Sequence, residues 1–401
     1  MAALALGLGL SAPAHAADDL GLSLCRALSA AVDRTAPDGG PVFLASYEPG
    51  PNEGQVPQPL RNAAFAYDNA LAATALQACG DLPRARQIGE AFLAAIESDR
   101  TFKDGRVRNA YRAGPLRTPP VLLPGWWDEA ASLWSEDRYQ VSTATGNVAW
   151  VGLALVNLGA ATHDARFAAG AQRLTDWIRS RTTRLDAPGF TGGLDGYDPQ
   201  QGSITWASTE HNLDIVALGR RLGTPEGRTV AASGRTFLDA AFDARTGCFR
   251  MGTDPQGRMR GIEALALDTQ LWPLLGVADP PQAWRRSLAC ANDRLNVPGG
   301  FDFNNDRDGL WIEGTAQAAL AFRWAGDAPR ADALLRTLSG QRAPSGWLYA
   351  TREARLTTGL QIGPASTSDD FFYFRRPHLG ATAWAALAAL GFNPFAGSPL
   401  R

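Results

Sequence analysis

One pattern recurs six times along the chain: a loop rich in Gly, Pro and aromatic residues, then an acid, amide or hydroxyl residue, then an alanine-rich apolar run ending at or near Gly. The runs cover residues 62–80, 145–159, 208–223, 262–276, 312–326 and 378–391. Self-similarity at an irregular period of roughly 50 to 80 residues marks a closed or stacked repeat architecture. Between the runs lie stretches with Arg, Asp and Glu on one face, at residues 19–34, 82–98, 164–181, 225–244, 281–295 and 328–339. A helix that is apolar nearly all round must be buried, whereas one with a charged face must look at water. Six of each in alternation predict an all-α (α/α)6 toroid, an inner ring of helices inside an outer one, with long irregular loops at the cavity mouth. Inner helices of such a ring run parallel, so their first turns converge.

Closing six repeats takes the whole of residues 17–401, which are therefore read as one domain, expected to act as a monomer. A net charge of -2 with 19% charged residues leaves no basic stripe for nucleic acid. Residues 1–16 form an apolar run closing on Ala14-His15-Ala16, the small-x-small pattern of a signal-peptidase site, although no Lys or Arg precedes it. The expectation is a signal peptide and a periplasmic or secreted protein, with no membrane insertion once the signal is removed. Export permits disulfides, and the four cysteines suggest two bridges, Cys25 with Cys79 and Cys248 with Cys290.

Polar residues at the mouth are the candidates for chemistry. Tyr67-Asp68-Asn69 is expected about one and a half turns into the first inner helix, where a buried Asp is costly unless it pairs or works. Residues 208–214 are the densest polar cluster: Ser208 reads as an N-cap, Glu210 and His211 fall in the first turn, and Glu210 and Asp214 share a face. Glu263 and Glu313 each follow a Gly-containing loop and an Ile, which suggests equivalent positions in the ring, with Asp268 deeper and structural. Arg375, Arg376 and His378 precede the last run and suit anion binding or pairing with the acids.

Glycosidic cleavage fits such a mouth, because it needs two carboxyl groups and flat aromatic platforms for sugar faces. Trp126, Trp127, Tyr139, Tyr197, Trp206 and Trp311 are loop aromatics suited to be those platforms. At the level of its repeat pattern the chain resembles the six-hairpin glycosidase superfamily of (α/α)6 toroids. That resemblance implies a glycoside hydrolase, commonly inverting, acting on a poly- or oligosaccharide. It implies Asp68, Glu210 and Glu313 as the catalytic set with Glu263 in reserve. The loop aromatics, Tyr67, Asn147, His211, Arg375 and His378 would then contact substrate. Polysaccharide lyases and sugar epimerases share such toroids, and Tyr139, His211, Arg375 and His378 would serve their proton transfers. A non-catalytic saccharide-binding protein would need the aromatics but not facing carboxylates.

Residues 301–309 alternate oxygen ligands before a Gly, which makes Asn304, Asp306 and Asp308 a weak calcium candidate; Thr315 stands where an EF-hand has Glu, and an Asx-rich turn explains the loop equally well. No other cofactor leaves a trace: there is no P-loop, no Gly-x-Ser-x-Gly elbow and no Cys/His zinc spacing.

Overall fold

A computed structural model describes residues 14–52, 54–117 and 119–400. Residues 1–13, most of the expected signal segment, lie outside the described residues, and 14–16 open the first helix. The helices in chain order are α1 (Ala14–Thr35), α2 (Ala66–Ala78), α3 (Leu82–Glu97), the single turn α4 (Arg138–Val141), α5 (Thr145–Thr162), α6 (Ala165–Arg181), α7 (Thr209–Leu222), α8 (Pro225–Ala241), α9 (Leu267–Gly276), α10 (Arg286–Leu295), α11 (Ile312–Trp324), α12 (Ala328–Ser339) and α13 (Leu379–Leu390). Helices α2, α5, α7, α9, α11 and α13 each pack on the next, and α13 packs back on α2, closing the inner ring. The other long helices lie outside them, α1 against α13, α3 against α2, and α6, α8, α10 and α12 against α5, α7, α9 and α11. The (α/α)6 toroid expected from the repeats is the observed fold.

The two rings start their helices differently. Outer helices α3, α6, α8 and α12 are capped by side chains, with Asp81, Asp164, Thr224 and Asp327 accepting from first-turn backbone N–H groups. Inner helices α2, α5, α9 and α11 have no side-chain cap. The lead-in residues of all six inner helices, including Ser208 and His378, which also cap α7 and α13 with their side chains, are extended and tied to the loop that precedes a neighbouring inner helix: Phe65 pairs with Ala110, Ala144 with Gly193, Ser208 with Gly252, Ala266 with Asn304, Trp311 with Thr351, and His378 with Tyr47. A belt of backbone pairing thus runs right round the mouth above the helix ring.

This belt corrects two expected helix starts. Ala63–Phe65 pairs with Ala110–Arg112, so α2 begins at Ala66 and Asp68 is its third residue, in the first turn. Asn305 accepts from Leu265 N and donates to the Glu263 carbonyl, holding that backbone out of a helix until Leu267.

Below the mouth the ring is filled. The sixth residues of the inner helices are Leu71, Trp150, Asp214, Trp272, Gln317 and Trp384, so Trp comes from alternate helices. Their ring centroids are 5.3, 5.9 and 5.8 Å apart, in edge and stacked arrangements that aromatic pairs favour. Phe395 packs against all three from the other end. The turn that carries it is fixed by Asn157 Nδ2 donating to the Pro394 carbonyl and Asn393 Nδ2 to that of Leu275. Both expected disulfides are formed, with Cα separations of 5.7 Å for Cys25–Cys79 and 5.5 Å for Cys248–Cys290. Among the described residues no helix is long and apolar enough to cross a membrane.

Candidate active site

Parallel inner helices bring their positive ends together, which is where a carboxylate is best tolerated. Each first turn contributes one group: Asp68 from α2, Asn147 from α5, Glu210 with His211 from α7, Asp268 from α9, Glu313 from α11, and on α13 the N-cap His378 with Gly380. The carboxyls fall into two groups facing across the ring.

On one side His378 stands between Asp68 and Glu313. Its Nε2 lies 3.3 Å from Asp68 Oδ2 and its Nδ1 3.8 Å from Glu313 Oε2. Nδ1 also accepts from Ala381 N at 3.3 Å, capping α13, so in the neutral ring the proton sits on Nε2 and is donated to Asp68. Burial would lower the His378 pKa, but the Asp68 charge and hydrogen bond and the Glu313 charge raise it on balance. Tyr47 stacks on the imidazole at 4.6 Å. Tyr67 donates to Glu313 Oε1 at 2.7 Å and accepts from Trp384 Nε1 at 2.8 Å. Burial pushes the Glu313 carboxyl up to about 7, and the Asp68 charge adds to this against the pull of His378. Glu313 is 1% exposed, yet its Oε2 has no hydrogen-bond partner. A Cβ on Gly380 would come within 2.7 Å of Asp68 Oδ1 and 2.8 Å of Glu313 Oε2, so the two oxygens converge on a space that only Gly leaves open.

On the other side Glu210 and Asp268 share a hydrogen bond and titrate as a pair: burial raises Glu210 well above its ordinary value, helped by the Asp268 and Glu313 charges, and raises Asp268 to about 6. Asp214, one turn deeper and fully buried, is likewise pushed up by burial and by Glu210; its oxygens form no hydrogen bond of good geometry although the Trp150 indole faces it. His211 is held neutral, lowered to about 4 by burial, with Trp206 tilted against it at 5.7 Å.

Tyr139, raised by burial to about 12, hydrogen-bonds Asn147, which donates to Asn109 Oδ1 at 2.8 Å. Tyr373 faces the same acids, its hydroxyl pushed up by burial and by the Glu313 charge. Other expected site residues lie elsewhere. Trp311 is buried, edge-on to Phe303. Glu263 is exposed in the loop before α9 because of the Asn305 clamp, so the first-turn acid equivalent to Glu313 is Asp268. Arg375 lies over the buried Tyr349 ring at 3.9 Å. Tyr197 is exposed under Arg138, and Trp126 and Trp127 sit on a hairpin, Trp126–Asp128 with Leu133–Ser135, where Trp127 is 49% exposed. Sequence reasoning missed Tyr47 and Tyr373, which reach the mouth by way of the belt and the hairpin that ends at Phe374, and no local pattern marks them.

Asp302, Asp306 and Asp308 bring carboxyl oxygens within 4.8 Å of one another, while Asn304 spends its oxygen on Asp306 N. Asp302 accepts from Phe303 N and Gly309 N, Asp306 from Thr357 Oγ1, and Asp308 from Thr357 N. These bonds dock the loop on residue 357. A surface recess of about 580 Å³ between α3 and the end of α5 is lined by Pro41, Leu82, Arg86 and Glu90, at the opposite end of these helices from the mouth.

No protein-family model and no curated protein matches the chain in sequence. Solved structures do resemble it. A glycosidase variant in complex with glucose aligns with a TM-score of 0.62 at 17% identity, over 98% of this chain and 100% of its own. Cellobiose 2-epimerase from Bacillus thermoamylovorans aligns at 0.63 and 11% identity, over 92% and 99%. A sugar epimerase from a ruminal bacterium gives 0.61 at 12%, over 92% and 98%. At these identities the likeness is one of fold.

Proposed function

We propose that the protein is a glycoside hydrolase, with a sugar held between the two groups of carboxyl residues at the mouth. The observation that carries this reading is the pairing itself: two sets of buried carboxyls, on different helices, facing one another across a space walled by Tyr67, Tyr139 and Tyr373. Glu210, protonated and hydrogen-bonded to Asp268, donates to the leaving oxygen. Asp68, oriented by His378, draws a proton from the attacking water. A water activated by Asp68 on the face opposite the acid gives inversion. Glu313 completes the set with an oxygen turned to the substrate. The small-x-small segment before Ala17 and the paired cysteines support export to an oxidising compartment.

The test is reducing-sugar release from a polysaccharide panel. Glu210→Gln and Asp68→Asn should each lower kcat by roughly 10²–10⁴-fold in protein whose circular dichroism is unchanged. Full activity in either folded variant would sink the assignment. A sugar epimerase is the second reading, favoured by His378 flanked by two acids, a suitable acid/base for the carbon next to a carbonyl. It would release no reducing ends and would instead incorporate deuterium from D2O into the sugar, read by NMR.

A further inference from the structure

Asp68, Glu210, Asp214, Asp268 and Glu313 put five carboxyl groups in and under one mouth. The charges that act most strongly on Glu210, Asp214, Asp268 and Glu313 are one another, Asp68 and His378; no Arg or Lys is among them. Arg375, the guanidinium expected to bind anions, is stacked on Tyr349. A buried oxygen without a donor is costly, and Glu313 Oε2 is such an oxygen, converging with Asp68 Oδ1 over Gly380. An anionic sugar would add its charge to this group of acids with His378 as the one cationic side chain among the charges acting on them, whereas a primary ammonium brings three donors and a positive charge.

We infer that the mouth takes an amino sugar with a free ammonium group, recognised by Glu313 Oε2 beside Asp68. The inference rests on the carbohydrate reading above and adds the substrate class to it. Glu313 is then a recognition residue rather than the acid or base of bond cleavage. Proton linkage follows. The groups that face the ammonium are Tyr67 and Asp68 of α2, Glu210 and His211 of α7 with Asp214 beneath, Asp268 of α9, Glu313 of α11, His378 before α13, and the loop residues Tyr47, Tyr139 and Tyr373. Burial keeps the Glu313 carboxyl protonated up to about 7, so a bound ammonium lowers its pKa and releases a proton. Affinity for the amine therefore rises as pH climbs from 5 towards 7, while affinity for a neutral hexose stays level.

The experiment is calorimetric titration of the full chain with glucosamine and galactosamine, their N-acetyl forms, the parent hexoses and the hexuronates, in two buffers of different ionisation heat. The amines should bind at least about tenfold tighter than the parent hexoses, with buffer-dependent heats showing proton release. Glu313→Gln should abolish both the preference and the release. Equal or tighter binding of the hexose, the N-acetyl sugar or the uronate overturns the inference, as does an amine preference that survives Glu313→Gln. Binding of no sugar at all removes the carbohydrate reading with it. Amine-selective binding without bond cleavage in any polysaccharide keeps the substrate class and removes the hydrolase.

Discussion

A missing Cβ decides the geometry of the mouth. Gly380 leaves the space into which Asp68 and Glu313 turn their oxygens, and a methyl there would meet both at under 3 Å. Ala is the better helix former, so Gly380→Ala should leave thermal stability near wild type while separating the two carboxyls. Activity at least tenfold down with an unchanged melting temperature is the expected outcome; unchanged activity would mean that the convergence has no role. Glu313 gives a second measurement. Its carboxyl is raised to about 7 in the fold, so between the ordinary value near 4.5 and 7 the native state holds a proton that the unfolded chain has released. Stability therefore falls as pH rises through that window, by up to about 3 kcal/mol at the top of it. Replacement by Gln removes the proton, so the stability difference between Glu313→Gln and wild type should shift in favour of the variant as pH goes from 4.5 to 7. A difference that stays flat would show that Glu313 is ionised in the folded protein.

At the scale of elements, what the sequence revealed and what it hid divide at the helix starts. Alanine-rich runs such as 379–390 are apolar all round and so declare themselves buried, and the charged face of α6 or α12 declares the outer ring. Where a helix begins is settled by backbone partners from another repeat. Glu263 looked like the counterpart of Glu313 because both follow Gly-x-x or Gly-Ile loops, but Asn305, some forty residues on, takes up the backbone of 263–265 and hands the position to Asp268. Asp68, Glu210 and His378 were found because a polar residue beside an apolar run needs no partner to be noticed; Tyr47 and Tyr373 come from loops with no periodicity. Asn305→Ala tests the clamp. Losing both hydrogen bonds should cost roughly 1–3 kcal/mol and let the start of α9 drift, reducing kcat through Asp268 while α7 and α11 stay fixed. Wild-type kcat in this variant would mean that the belt, not Asn305, sets α9.

For the whole molecule, the rings, the belt and the Trp layer make one closed object in which every inner helix has two like neighbours. Trp150, Trp272 and Trp384 with Phe395 beneath them leave no passage to the far end. Such a chamber has a single door. Under the proposed hydrolase reading, a piece cut off between the acids and this Trp floor must back out along the path by which it came, so the next substrate waits for it. Product should accordingly compete with substrate for the free protein, raising KM without lowering kcat in initial-rate measurements; a noncompetitive pattern would mean that a second way out opens during turnover.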